Sequence, residues 1–282
     1  MKKYMIFIFA LLLSCINTNN NEIDDKLQVY TSIYPIYDFA KKIGGNRVRV
    51  YNITANGSEP HDFEITSKDI VNLIKSDIFL YNGGGIEHWV DTVKDSIKDL
   101  YYVDTSYNLT NDTLDPHFWL SPINAIIQME NIKNAFIKID ANNSNYYDSN
   151  FNLYSNNLYM LDSHFRDNLS KVKNTNLVIT HPAFGHFCKE YSLNQVAIAR
   201  DDFDPKSMSS IIDFIKSNNI KALFYEEFSS SKLVDSIAKE TSSIIYRLNP
   251  IESLSEEYIN AGEDYFSIME KNFISLTNGL NQ

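Results

Sequence analysis

A run of 29 residues without proline or glycine, from residue 144 to residue 172, divides this chain into two parts. Within the run, apolar residues recur at steps of three and four, the spacing of one face of an α-helix. At about 1.5 Å per residue, such a helix would be roughly 43 Å long. The pattern therefore predicts one rigid helix that connects two lobes. Two shorter helices that meet near Asn156 are the alternative.

On both sides of this run, short apolar segments alternate with segments of helical spacing. The predicted strands are residues 27–33, 48–53, 78–81 and 101–103, then 177–180, 195–198, 222–226 and 244–247. The predicted helices are residues 69–75, 88–98, 206–218 and 231–241. This alternation is typical of parallel sheets with helical crossovers. We therefore expect an α/β fold with two Rossmann-like lobes, at residues 27–143 and 173–282, joined by a long rigid helix at 144–172.

The first 26 residues have the pattern of a signal peptide followed by a tether. Two lysines at positions 2 and 3 precede ten mostly apolar residues, 4–13, whereas a membrane-spanning helix needs about 20. This pattern predicts a secretory signal peptide at residues 1–14. The segment ends in Leu-Leu-Ser-Cys15, which resembles a bacterial lipoprotein cleavage box. We expect lipid on Cys15 and a tether at residues 15–26; an ordinary signal peptide with an incidental cysteine is the alternative.

Charge and cysteine content exclude several classes. The chain has 25 basic and 36 acidic residues, a formal charge of −11, so a nucleic-acid partner is disfavoured. An acidic surface suits a protein that attracts cations. Only two cysteines occur, Cys15 and Cys188, which excludes a disulfide framework and a four-cysteine zinc site. If Cys15 carries lipid, we expect Cys188 to be a buried thiol.

Three of the six histidines stand next to a proline, each in or near a turn that follows a predicted strand. They are His61, His117 and His181. Because ligands of parallel α/β sheets bind outside the carboxyl ends of the strands, these positions predict a site in the cleft between the lobes. Three imidazoles and one carboxylate would complete a tetrahedral zinc site. Three histidines that cap turns independently remain the alternative.

The remaining histidines give weaker signals. We expect His88 and His164 on the surface and His186 packed or exposed. The Tyr-Asn-Gly-Gly-Gly turn at residues 81–85 follows a strand, as nucleotide-binding turns do, but it lacks the G-x-G-x-x-G spacing. A tight structural turn is the better interpretation.

Five sequence motifs, in order, resemble those of the metal-specific solute-binding lipoproteins of bacterial zinc and manganese ABC importers. They are residues 34–45, 59–64, 115–120, 180–184 and a closing segment at 248–254 and 262–266. The resemblance covers nearly all of the chain after residue 26. It implies one metal ion between two α/β lobes that are joined by a long helix.

The resemblance assigns the metal ligands. It implies that His61, His117 and His181 bind the ion and that Glu252 supplies the carboxylate. Glu59 or a water molecule are alternatives for the fourth ligand.

The chain departs from the family pattern at His186 and in the loop before the second ligand, among other places. His186 stands where the family commonly has an aromatic residue, so it is a candidate alternative or supporting ligand. Many zinc-type members also carry a long histidine-rich loop before the second ligand. Residues 104–114 are short and contain no histidine, so we expect no metal-collecting loop.

The predicted donor set favours Zn²⁺ over Mn²⁺, because manganese-type members present more carboxylate oxygens and imidazole suits zinc. The expected function is capture of zinc outside the cytoplasmic membrane and delivery to an ABC importer permease by a lipid-anchored monomer. Neither catalysis nor a nucleic-acid partner is expected. The alternatives are a Mn²⁺-specific protein of the same family, a zinc metallohydrolase and a surface adhesin.

Overall fold

The computed structural model describes residues 26–110, 115–198, 205–226 and 232–282. The predicted signal peptide, Cys15 and residues 16–25 of the predicted tether lie outside these ranges. Within them, every helix is too short or too polar to span a membrane.

Two parallel sheets of four strands each organise the described residues. The first contains β1 (Leu27–Thr31), β2 (Val48–Asn52), β3 (Ile78–Tyr81) and β4 (Tyr101–Asp104), in the order β2-β1-β3-β4. The second contains β5 (Asn176–Ile179), β6 (Asn194–Ala197), β7 (Ala222–Glu226) and β8 (Ile244–Leu248), in the order β6-β5-β7-β8. The two sheets have the same topology, and every strand lies within two residues of its predicted bounds. The predicted α/β fold is confirmed.

Ten α-helices connect and cover these sheets in the described part of the chain. They are α1 (Tyr34–Gly44), α2 (Ser67–Ile74), α3 (Val90–Ser96), α4 (Pro122–Ile139), α5 (Ser144–Leu169), α6 (Gly185–Glu190), α7 (Pro205–Ser217), α8 (Lys232–Thr241), α9 (Glu256–Asn260) and α10 (Tyr265–Leu280). The strand and helix patterns did not predict α4, α6, α9 or α10. Ser121 caps α4 by accepting a hydrogen bond from the backbone N–H of Asn124, and Pro122 is its first residue. Both are ordinary helix start signals.

Helix α5 is the long helix that the sequence predicts, and it is unbroken for 26 residues. It ends at Leu169, three residues before the predicted limit, and it does not split near Asn156. Near its start, Asn150 donates a hydrogen bond to the carbonyl of Ile43 in the first lobe (2.9 Å). Near its end, Phe165 stacks on Phe273 of the second lobe. The helix thus contacts both lobes, whereas the predicted lobe boundaries stay a prediction.

Polar contacts also join the two lobes directly. Lys42 of α1 bonds Asp38 on the same helix and Asp264 at the start of α10, each at 2.8 Å. Tyr265 donates its hydroxyl hydrogen to the carbonyl of Trp119 (2.6 Å). One continuous apolar cluster includes buried residues of both sheets, and Cys188 lies in it as the buried thiol that the sequence predicted.

Candidate metal centre

Four loops bring the predicted ligands together, and each follows the carboxyl end of a parallel strand. His61 follows β2, His117 follows β4, His181 follows β5 and Glu252 follows β8. One ligand atom from each of these side chains lies within 4.8 Å of all the others. His117, His181 and Glu252 are buried, whereas the His61 side chain is 35% exposed. Two loops come from each sheet, so the cluster lies where the lobes meet.

Three of the four distances between these atoms are close to those between the ligands of a tetrahedral ion, and the shortest is a hydrogen bond. Glu252 Oε1 lies 2.7 Å from His117 Nε2, 3.6 Å from His61 Nε2 and 3.7 Å from His181 Nε2. The Nε2 atoms of His61 and His117 are 3.3 Å apart. Zinc–ligand bonds of about 2.0–2.1 Å place tetrahedral ligands roughly 3.4 Å from one another. All four side chains therefore direct a donor atom at one small volume.

Two carboxylates orient two of the histidine rings. Asp115 Oδ1 accepts hydrogen bonds from the backbone N–H (3.0 Å) and from Nδ1–H (2.6 Å) of His117. Glu226 Oε2 accepts from Nδ1–H of His181 at 2.8 Å. Because Nδ1 carries the proton in both rings, Nε2 faces the common centre. Neither Asp115 nor Glu226 was predicted from the sequence to have a role. Their signals were local: Asp115 belongs to the Asp-Pro-His motif, and Glu226 ends a predicted strand.

The loop that carries Glu252 is held by buried hydrogen bonds. Trp119 donates its indole N–H to the carbonyl of Pro250 (2.7 Å), and Ile251 donates its backbone N–H to Asn249 Oδ1 (2.7 Å). Ile251 is fully buried with φ +62°, a left-handed conformation that is uncommon for a β-branched residue. The surrounding structure must maintain this conformation, and it turns the next side chain, Glu252, towards the histidines.

Proton positions in the metal-free cluster follow from the same contacts. Although burial opposes the charged form, the hydrogen bond from His117 and the neighbouring His61 ring hold the pKa of Glu252 well below its usual range. Burial also lowers the pKa of His117, but its bonds to Asp115 and Glu252 outweigh this and raise the pKa to about 9. His117 thus donates from both ring nitrogens as an imidazolium. Binding of a metal ion at Nε2 would release that proton.

Glu59 belongs to a neighbouring group of carboxylates. Ligand oxygens of Glu59, Glu226 and Glu252 lie within 4.8 Å of one another beside a cavity of about 130 Å³. Burial and the negative charge of Glu252 raise the pKa of Glu59. Glu59 lies beside the four-residue cluster and is not part of it, so its role as an alternative carboxylate ligand stays a prediction.

The other histidines lie outside the cluster. His186 Nε2–H donates to the backbone carbonyl of Asp115 (2.9 Å), so it contacts a residue that orients His117. His88 is half-exposed beside Glu64. His164 is exposed and packs on Phe273.

The glycine turn after β3 is occupied by the carboxyl group of Glu87, a side chain of the protein itself. The Glu87 carboxylate accepts hydrogen bonds from the backbone N–H groups of Asn82 (2.7 Å) and Gly83 (3.1 Å) and from the Ser32 hydroxyl (2.5 Å). These amides are the groups that a phosphate-binding turn would present to its ligand. The turn is therefore structural.

Comparison with known proteins identifies the family. The model of ZnuA, described as the periplasmic component A of the zinc-uptake complex, matches residues 29–279. The chain belongs to this family. The ZnuA match confirms the family resemblance on which the ligand assignment was based.

Two relatives and one solved structure illustrate the match to ZnuA. The chain is 32% identical to the high-affinity zinc uptake system protein ZnuA of Bacillus subtilis, over 96% of this chain and 94% of that protein. It is 31% identical to the zinc-binding lipoprotein AdcA of Streptococcus pneumoniae and spans only 62% of that longer protein. The Zn(II)-bound ZnuA-like domain of the same AdcA superposes with a TM-score of 0.84 at 30% identity, covering 91% of this chain and 100% of that domain.

Proposed function

We propose that this protein captures Zn²⁺ outside the cytoplasmic membrane and delivers it to the permease of an ABC importer. His61, His117, His181 and Glu252 bind the ion. The convergence of their three Nε2 atoms and one carboxylate oxygen on one volume carries this conclusion. The names of the Bacillus subtilis and Streptococcus pneumoniae relatives support zinc as the cargo.

The donor set also favours zinc over manganese. Three imidazole nitrogens and one carboxylate oxygen suit Zn²⁺, whereas Mn²⁺ prefers sites richer in oxygen. Zn²⁺ also binds such ligands with higher intrinsic affinity than Mn²⁺ does. The protein's part is coordination and release of the ion, so we assign it no catalytic reaction.

The N-terminal segment completes the proposal. Cleavage before Cys15 and lipid attachment to its thiol would tether a monomer to the outer side of a bacterial membrane, within reach of the permease. The lipoprotein name of AdcA supports this anchor.

Metal content of the purified protein tests the site. The protein is stripped with a chelator, dialysed against equimolar Zn²⁺ and Mn²⁺, and analysed for both elements. We expect about one zinc per chain in the wild type and in the control His164→Ala, and loss of that zinc in His117→Ala with unchanged circular dichroism. Bound manganese would refute the choice of metal, and full zinc in His117→Ala would refute the ligand assignment.

Transport requires a test in the cell. Deletion of the gene should prevent growth in chelated medium, and a plasmid copy should restore it. A copy with His117→Ala should fail to do so at equal protein level. Restoration by that variant would refute delivery through this site.

A further inference from the structure

Among the described residues, Asp115 is the one whose side chain accepts hydrogen bonds from both the backbone and the ring of His117. Its Oδ1 atom accepts two hydrogen bonds, from the His117 backbone N–H and from the ring Nδ1–H. Both side chains are less than one-tenth exposed. The ring of His117 therefore has one orientation relative to its own backbone, with Nε2 facing the cluster.

The second lobe packs directly against this residue. Gly185 is the first residue of α6, and a Cβ atom placed on it would lie 2.3 Å from Asp115 Oδ2, far inside contact distance. The next residue, His186, donates a hydrogen bond to the Asp115 carbonyl, and its ring lies 4.8 Å from that of Phe118. The start of α6 thus fits closely around the loop of the first lobe that carries His117.

The other carboxylate oxygen supports a role beyond stability. Asp115 Oδ2 is buried and has no hydrogen-bond partner among the described residues. An unpaired buried acceptor destabilises the fold. The benefit of a carboxylate at this position lies in the two hydrogen bonds that Oδ1 makes with His117.

We propose that Asp115 is a positioning residue for zinc binding and that Gly185 and His186 of the second lobe hold it in place. The hydrogen bond from Nδ1–H to the carboxylate orients the ring and makes Nε2 a stronger donor. Packing of the second lobe against Asp115 thereby determines how well a ligand of the first lobe binds the ion. This inference rests on the proposed function, because it concerns affinity for zinc at the same site.

Zinc affinity of three variants, measured by competition with a chromophoric chelator, tests the proposal. Asp115→Asn keeps the size of the side chain and removes its charge, and we expect affinity to fall roughly 10- to 100-fold. Gly185→Ala should reduce affinity in the same direction, because its methyl group displaces Asp115 Oδ2. Gly44→Ala is the control, since its Cβ would lie 2.2 Å from Val48 Cγ2 in the first lobe, and its zinc affinity should stay unchanged.

A second readout separates positioning from general loss of stability. The visible spectrum of Co²⁺ bound in place of zinc reports ligand geometry, and the melting temperature of the metal-free protein reports stability. We expect altered Co²⁺ spectra for Asp115→Asn and Gly185→Ala, and a lower melting temperature with an unaltered spectrum for Gly44→Ala. If Gly185→Ala does not fold, the zinc affinity and Co²⁺ spectrum of Asp115→Asn alone test the proposal.

The same zinc-binding measurements distinguish an error in this proposal from an error in the proposed function. If the wild type binds zinc and Asp115→Asn and Gly185→Ala bind it within twofold of the wild type, the positioning role is refuted and the zinc site stands. If the wild type binds no zinc, both are refuted.

Discussion

Lys42→Met removes the cation that ties α1 of the first lobe to the start of α10 in the second. The Lys42 and Asp38 side chains are 11% and 9% exposed, and their bond is 2.8 Å long. Loss of one partner leaves the Asp38 carboxylate buried without its counter-charge, which costs about 3–5 kcal/mol. The bond to Asp264, which is 37% exposed, adds little because that carboxylate can return to solvent. For a chain of this size, the melting temperature should fall by roughly 6–20 °C.

Thermal denaturation of the metal-free protein at pH 8 measures this effect. Lys98→Met is the matched control, because Lys98 and Asp95 are 69% and 85% exposed and such a pair contributes less than about 1 kcal/mol. The double variant Asp38→Asn with Lys42→Met should regain most of the loss, since it removes both charges. A drop for Lys42→Met no larger than that of the control, or no recovery in the double variant, would show that the buried charge is not the cause.

Two further predictions concern buried polar groups. Burial raises the pKa of Glu87 to about 7, despite its hydrogen bonds from Ser32 and backbone amides. The unfolded chain releases this proton first, near pH 4.3, so Glu87 should make stability fall as pH rises from about 4.5 to 7. In urea denaturation, the free energy of unfolding should fall less between pH 5 and pH 7 for Glu87→Gln than for the wild type. An equal fall in both proteins would contradict this prediction. Trp119→Phe leaves the buried Pro250 carbonyl without its donor and should cost about 1–3 kcal/mol in the same assay; an unchanged midpoint would argue against that contribution.

Local patterns were sufficient for most of the fold. Strand and helix periods depend on neighbouring residues, so the eight strands and the long helix α5 could be located from the sequence. The limits of α5 were less certain, because no proline or glycine marks an end near Leu169. Helices α4, α6, α9 and α10 were not predicted from the helical spacing, although Ser121 and Pro122 mark the start of α4.

For the candidate site, the sequence was sufficient to select the residues but not to show that they lie together. His61, His117 and His181 could be selected from their prolines and their places after strands, and Glu252 from family resemblance. Their convergence on one volume could not be derived from their spacing, because 56 and 64 residues separate the three histidines. That convergence depends on two sheets whose carboxyl ends meet.

The sequence by itself determined the residue types of the site, the strand–helix alternation and the acidic charge, because these are properties of the chain and its local periods. Only the tertiary structure decided which carboxylate orients which imidazole. Asp115 is two residues from His117, but Glu226 is 45 residues from His181. It also decided that Gly185 packs against Asp115 across the lobes. Such contacts depend on ångström-scale packing between distant segments, which no local pattern encodes.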